Sequence, residues 1–138
     1  FRRDAAARCG GYRPELDGSE DYDFFWRLSE TGRTGNLRDV LYHYRITRGS
    51  VSSLRARRQF VAHSAARSAG LARAKGEAER IQLFLQDAEV MASEPARLAD
   101  LRAREADRVL LSGHGGQALR DYGKLLTRYP SCRVAWLK

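Results

Sequence analysis

The sequence predicts an α+β segment over residues 1–53, followed by a mostly α-helical region over residues 54–138. Residues 20–31 place apolar side chains at helical spacing, whereas residues 36–46 alternate with a period of two, which is typical of a strand. From residue 54 onward alanine, arginine, leucine, glutamate and glutamine dominate, and no strand-like run follows. This change in composition predicts a domain boundary near residue 54.

The chain opens with a short helix, predicted for residues 1–8, and a pair of glycines, Gly10 and Gly11. A glycine pair favours a tight turn, because glycine adopts left-handed backbone angles without a steric penalty. It can also leave room for a ligand against the backbone. The spacing alone leaves both interpretations open.

Asp21 is the unusual residue of the second predicted helix, residues 20–31. At about 100° per residue, Asp21 falls in the middle of the face that carries Phe24, Phe25 and Leu28. A carboxylate in that position either binds backbone N–H groups at the helix start or acts as a general base in a cleft. Both alternatives stay open from the spacing.

The remaining acids of this helix predict ordinary roles. Glu20 lies in the first turn, where the helix dipole favours negative charge. Asp23 and Arg27 are four residues apart on the opposite face, so we expect them to pair in solvent. Gly32 is expected to end the helix.

The alternating run over residues 36–46 predicts one apolar and one polar strand face. The polar face carries His43 and Arg45 and leads to Thr47, and a loop rich in glycine and serine follows over residues 47–53. Imidazole, guanidinium and hydroxyl groups beside a flexible loop can bind a diphosphate. The alternative is a half-exposed sheet edge without a ligand.

The second region predicts four helices and a final turn, at residues 54–73, 75–92, 96–112, 115–129 and 132–137. Within residues 99–132, small, aromatic and proline residues occur at offsets typical of a tetratricopeptide-like hairpin. A general helical hairpin is the alternative.

Charge and composition narrow the classes of function. Residues 1–53 hold 9 basic and 8 acidic residues, whereas residues 54–138 hold 16 and 9, so a net charge of +7 lies in the second region. The arginines are scattered around the predicted helices without interleaved aromatics, which argues against nucleic-acid binding. No run of about 18 apolar residues, phosphate-binding loop or metal-ligand cluster occurs in the sequence.

Taken in order, the motifs of residues 1–53 resemble the second half of an inverting family 2 glycosyltransferase with the GT-A fold. The matching stretches are Arg2-Arg3-Asp4-Ala5, Gly10-Gly11-Tyr12, Glu20-Asp21-Tyr22-Asp23 with Arg27, Gly32, and Tyr44-Arg45-Ile46-Thr47-Arg48-Gly49-Ser50-Val51-Ser52. The resemblance implies a partial GT-A fold, in the order helix, turn, helix and strand, and it leaves the helical region unassigned.

The resemblance also implies roles for individual residues. Asp21 corresponds to the catalytic base, and the substrate-binding positions implied are Gly10, Gly11, Glu20, Arg45, Thr47, Arg48 and Ser50. Thr47 stands where the family often has histidine, and Arg48 supplies a positive charge next to it.

This chain lacks the nucleotide-binding half of such enzymes, including the Asp-x-Asp element that carries Mg²⁺ or Mn²⁺. We therefore expect a fragment that is inactive alone and binds no metal. The resemblance implies a cytoplasmic parent enzyme, at the inner face of the membrane, that transfers sugar from a nucleotide-sugar to a glycan or lipid-linked acceptor in bacterial surface polysaccharide synthesis. It also implies a homodimer and peripheral membrane contact. The alternative is a non-catalytic, tetratricopeptide-like helical module that binds a protein partner.

Overall fold

A computed structural model describes residues 1–44 and 55–132 of the chain, and six α-helices account for most of them. The helices are α1 (Arg3–Arg8), α2 (Glu20–Ser29), α3 (Ala56–Ala74), α4 (Ile81–Ser93), α5 (Pro95–Leu111) and α6 (Gly115–Arg128), and a 3-10 turn spans Pro14–Leu16. The chain divides into two compact units: residues 1–43 with 59–88, and the described residues within 44–58 and 89–138.

The predicted strand is wrong. Residues 36–44 are exposed and form no strand, and no strand occurs anywhere in the described ranges. Alternation alone does not make a strand, because the backbone of a strand needs hydrogen bonds from a neighbouring strand. The α+β, partial GT-A prediction is therefore overturned, and the described chain is mostly helical. Residues 45 and 46 of the predicted strand, and the 47–53 loop, lie outside the described residues.

The helix predictions agree with the structure, apart from the start of α4. The sequence predicts that helix from residue 75, but it begins at Ile81. Gly76 adopts a left-handed φ of 71°, and the Glu77 N–H binds the Ala72 carbonyl oxygen at 2.9 Å, which closes the end of α3. Pro95 occupies the first turn of α5, where its missing N–H costs nothing. The predicted last turn lies almost wholly outside the described residues.

Small residues on α3 shape the core of the first unit. Fully buried Leu16 packs with Ala65 and Ala66, and Tyr22, Ile81, Phe84 and Leu85 surround them. Further along α3, a Cβ at Gly70 would lie only 2.4 Å from Cε2 of Trp26. The missing side chain at Gly70 therefore lets the indole of α2 lie directly on the α3 backbone.

Helices α5 and α6 form a hairpin in the second unit. Its buried core consists mainly of small residues with one aromatic anchor: Ala99, Ala103, Ala106, Ala118, Tyr122, Leu125 and Cys132. The Tyr122 hydroxyl donates a hydrogen bond to Asp107 across the hairpin. The predicted helical hairpin is present, and its tetratricopeptide character stays a prediction. Among the described helices, none combines the length and the apolar character needed to cross a bilayer.

Candidate functional site

Asp21 lies exposed in the first turn of α2, beside an aromatic groove. The groove is lined by Asp21 itself together with Tyr22, Phe25, Trp26 and Ser29. Oδ1 of Asp21 accepts the backbone N–H of Tyr22 at 2.7 Å. The carboxylate is therefore positioned next to flat apolar surfaces and remains open to solvent and to a ligand.

Glu20, the neighbouring acid, is the one that binds backbone ahead of the helix. Its Oε2 accepts the N–H of Gly18 at 2.7 Å. Ser19 makes no side-chain cap hydrogen bond. Of the two alternatives for Asp21, the helix-start ligand has a matching contact, the hydrogen bond from the Tyr22 N–H, and the general-base role stays a prediction. The contact with Gly18 gives Glu20 a local structural role, and its predicted role in substrate binding stays a prediction.

The buried face of α2 differs from the predicted one. Asp23, Phe24 and Arg27 are its buried residues, with Asp23 at 0% and Arg27 at 7% exposure, whereas Phe25 is 51% exposed. The prediction that Asp23 and Arg27 pair in solvent is therefore wrong. They do pair, but in a site that water barely reaches.

Arg27 joins α2 to the glycine turn. Its Nε and Nη2 donate to Oδ2 of Asp23 at 2.9 and 2.7 Å, and Nη2 also donates to the Gly11 carbonyl oxygen at 2.7 Å. Nη1 donates to the carbonyl oxygen of Cys9. A planar guanidinium with several fixed donors suits such a convergent set of oxygens. The contacts fix the turn on the helix that carries Asp21.

Gly10 and Gly11 form a tight turn, in agreement with the first of the two interpretations. Their φ angles are 76° and 73°, and a Cβ at either position would meet nothing within 4 Å. Left-handed backbone geometry, rather than crowding, therefore accounts for both glycines. The next residue, Tyr12, packs edge-on against Phe24, with ring centroids 5.2 Å apart.

A series of ion pairs continues from the Asp23–Arg27 pair. Arg13 binds Glu79 at 2.5 Å and lies 3.6 Å from Oδ1 of Asp23, an atom with no hydrogen-bond donor among the described residues. Arg73 bridges Glu79 and Glu30 at 3.0 and 2.9 Å. The hydrogen bond from Arg13 is the main cause that lowers the pKa of Glu79. Sequence reasoning missed this network, because 66 residues separate Arg13 from Glu79.

Several of the predicted site residues cannot be placed. Arg45, Thr47, Arg48 and Ser50 lie outside the described residues, and His43 is exposed in the 36–44 segment. Across residues 1–44 and 55–132, no three histidine, cysteine, aspartate or glutamate side chains come together as a metal site. The Mg²⁺ or Mn²⁺ that the resemblance implies belongs to the nucleotide-binding half of the parent enzyme, and its presence there stays a prediction.

Comparisons of the chain with protein-family models, curated proteins and solved structures give no match. The chemistry assigned to the groove therefore depends on its own residues and on the order of the motifs around it. The groove combines one accessible carboxylate with aromatic walls. That combination can accept a proton from a hydroxyl group held against the rings.

Proposed function

We propose that this chain is the acceptor-binding portion of an inverting glycosyltransferase related to family 2, with Asp21 as its general base. The observation that carries the proposal is the exposed Asp21 carboxylate, which lines the aromatic groove. Three aromatic side chains, Tyr22, Phe25 and Trp26, line the groove. Their flat apolar faces suit an acceptor that presents a hydroxyl group to the carboxylate.

In the proposed reaction, Asp21 accepts the proton of the acceptor hydroxyl. The acceptor oxygen forms a bond to the anomeric carbon of the donor sugar, and the bond from that carbon to the nucleoside diphosphate breaks on the opposite face. Attack opposite the leaving group inverts the anomeric configuration. Asp21 must lie within hydrogen-bond reach of the hydroxyl. Arg27 joins the helix that carries Asp21 to the glycine turn, and these contacts limit the movement of Asp21.

Under this proposal the donor is held by a part of the protein outside residues 1–138, and this chain alone is inactive. A divalent cation, Mg²⁺ or Mn²⁺, would neutralise the leaving diphosphate in the parent enzyme. The acceptor is a glycan or a lipid-linked sugar, and the setting is surface polysaccharide synthesis at the cytoplasmic face of a bacterial membrane. A homodimer and peripheral membrane contact belong to the same proposal.

Asp21→Asn in the full-length protein tests the assignment. Loss of a general base typically lowers kcat by about 100- to 10,000-fold. The expected result is a loss of that size with helix content unchanged, because the Asp21 side chain is exposed. Asp87→Asn, which changes an exposed carboxylate on α4 away from the groove, is the matched control and should retain activity. Near-normal sugar transfer by Asp21→Asn would contradict the proposal.

A second candidate is a non-catalytic helical module that binds a protein through the α5–α6 hairpin. The observation in its favour is the exposure of Leu110, Leu111 and Leu119, at 44, 66 and 70%. Exposed leucines on a hairpin suit stacking by a further helix pair. Helix pairs continuing after Lys138 with a period of about 34 residues would support this candidate. Loss of sugar transfer in Asp21→Asn would favour the glycosyltransferase instead.

A further inference from the structure

A second and larger cleft adjoins the groove of Asp21. It has a volume of about 980 Å³ and lies between α1, the end of α2 and the segment after it. Phe25 and Ser29 line both the cleft and the Asp21 groove. A ligand that fills the cleft can therefore extend into the groove without leaving the surface of the first unit.

The cleft is positively charged. Three arginines, Arg2, Arg8 and Arg33, line it against a single acid, Asp4. Arg8 already pairs with Asp4 at 2.9 Å. The side chains of Arg2 and Arg33 make no ion pair or hydrogen bond with any described residue, and both residues are exposed. Two guanidinium groups are therefore available to an anion, and arginine suits phosphate through its bidentate donors.

The rest of the lining combines donors with an apolar wall. The segment from Thr31 to Asn36 contributes a hydroxyl at Thr34, a side-chain amide at Asn36 and two glycines. Phe1 and Phe25 meet edge-on, with ring centroids 6.2 Å apart, and form the apolar side. The lining thus offers charge and hydrogen-bond donors to an anion and aromatic surface to the group that the anion carries.

We infer that this cleft binds a phosphate or diphosphate group, which in the proposed reaction belongs to the acceptor. The inference deepens the proposed function. Phosphate binding does not depend on that function, but the assignment of the phosphate to an acceptor rests on it. A phosphate held by Arg2 and Arg33 places the group attached to it towards Phe25, the residue shared with the Asp21 groove. The acceptor class is accordingly a phosphorylated or diphosphate-linked sugar.

The test uses inorganic pyrophosphate and the 138-residue chain. Titration followed by NMR should give saturable shifts at the backbone amides of residues 31–36. The double variant Arg2→Gln, Arg33→Gln should weaken binding by about tenfold or more, because each arginine supplies charge-assisted hydrogen bonds. Arg67→Gln is the matched control, since Arg67 is an exposed arginine on α3 outside the cleft, and its affinity should equal that of the wild type.

The same spectra report whether each variant is folded, so a failed fold is not mistaken for lost binding. Equal affinities of the double variant and the wild type would overturn the inference. The absence of saturable binding to both pyrophosphate and anionic vesicles would do so as well. Rising salt should weaken the interaction, because exposed charges are screened.

A second arm identifies the source of the phosphate. Vesicles of phosphatidylcholine are compared with vesicles that also contain phosphatidylglycerol. Binding to pyrophosphate but to neither vesicle assigns the site to a phosphate on a soluble acceptor. Binding to the anionic vesicles that is lost in the double variant assigns it to a lipid headgroup. Vesicle binding that is unchanged in the double variant contradicts phosphate binding by the cleft.

Asp21→Asn separates this inference from the proposed function. Asp21 does not line the cleft, so this variant should bind pyrophosphate as tightly as the wild type. If the full-length Asp21→Asn protein retains sugar transfer while the cleft still binds pyrophosphate, the proposed function fails and the phosphate site stands. If transfer is lost but pyrophosphate never binds, the phosphate site fails and the proposed function stands.

Discussion

Arg27 holds Asp23 through two hydrogen bonds, at 2.9 and 2.7 Å, in a site where Asp23 has no exposed surface. A second aspartate and arginine of the same spacing, Asp4 and Arg8, pair at 2.9 Å with about three fifths of each side chain exposed. The two pairs have the same chemistry and differ in burial. They therefore form a natural comparison of buried and exposed ion pairs within one unit.

Arg27→Gln should destabilise the first unit by about 3–5 kcal/mol, because it leaves the buried Asp23 carboxylate without its main partner. It should also release the glycine turn, since two carbonyl oxygens lose their donor. Hydrogen exchange of the α2 and α3 amides measures the loss for this unit alone, which matters because a chain of two compact units need not unfold in one step.

Arg8→Gln is the control for that experiment. An exposed helical ion pair adds little stability, so the exchange rates should stay close to those of the wild type. Equal effects from Arg27→Gln and Arg8→Gln would show that burial of the Asp23 pair does not determine its contribution.

Gly70→Ala should destabilise the first unit by about 1–3 kcal/mol, the usual cost of overpacking a filled core. The added methyl group would collide with the Trp26 indole, and the backbone of α3 would have to move. Gly123→Ala on α6 is the matched change: a Cβ there meets nothing within 4 Å. It should stabilise its helix by about 0.5–1 kcal/mol. Hydrogen exchange of the α3 and α6 amides measures the expected loss of stability in Gly70→Ala and the expected gain in Gly123→Ala.

The ion pair between Arg13 and Glu79 should make the first unit sensitive to acid. The pKa of Glu79 is below its ordinary 4.5, chiefly because Arg13 donates a hydrogen bond to it. This stabilisation is present above pH 4.5 and is lost as the pH falls through the lowered value. Glu79→Gln should therefore flatten the acid limb of the stability curve for the first unit, measured by hydrogen exchange at several pH values.

Glu105→Gln should change the stability of the second unit in the opposite direction. Burial raises the pKa of Glu105, so its charged form carries a cost at neutral pH that protonation removes. The variant should stabilise the hairpin at pH 7, and the gain should fade as the pH falls through the raised value. A loss of stability at pH 7 would contradict this account.

Tyr122 should give the hairpin an alkaline limit. Burial, followed by the hydrogen bond to Asp107, raises the pKa of Tyr122 well above its ordinary 10.0. Above pH 10 the unfolded chain releases this proton while the folded chain retains it, so stability falls as the pH rises. Tyr122→Phe should reduce that decline. Helix content, followed by circular dichroism between pH 9 and 12, measures the difference, and an unchanged slope would argue against the assignment.

The sequence was informative wherever structure depends on neighbouring residues. Helix propensity, proline at the start of α5 and glycine at the turns predicted most helix boundaries, because these signals act within a few residues. Tertiary contacts decided the rest. Residues 36–44 alternate like a strand, yet a strand also needs a hydrogen-bonded neighbour, and none occurs in the described parts of this chain.

The candidate site also depends on tertiary contacts that the sequence does not show. The helical wheel put Asp21 on one face with Phe25, but both residues are exposed, and the role of Asp21 as a base stays a prediction. The wheel failed for Asp23 and Arg27, because it cannot show that the Cys9 and Gly11 carbonyl oxygens turn towards that face. Spacing four residues apart is the same for buried and exposed pairs, so burial could not be predicted from it.

The contact between Trp26 and Gly70 has an optical consequence. The indole packs on the α3 backbone and also lines the groove of Asp21. Its fluorescence should respond when a molecule enters that groove, since emission depends on the polarity around the ring. The chain has two tryptophans, and Trp136→Phe would leave Trp26 as the single emitter, so its fluorescence could be used to screen for molecules that bind the groove.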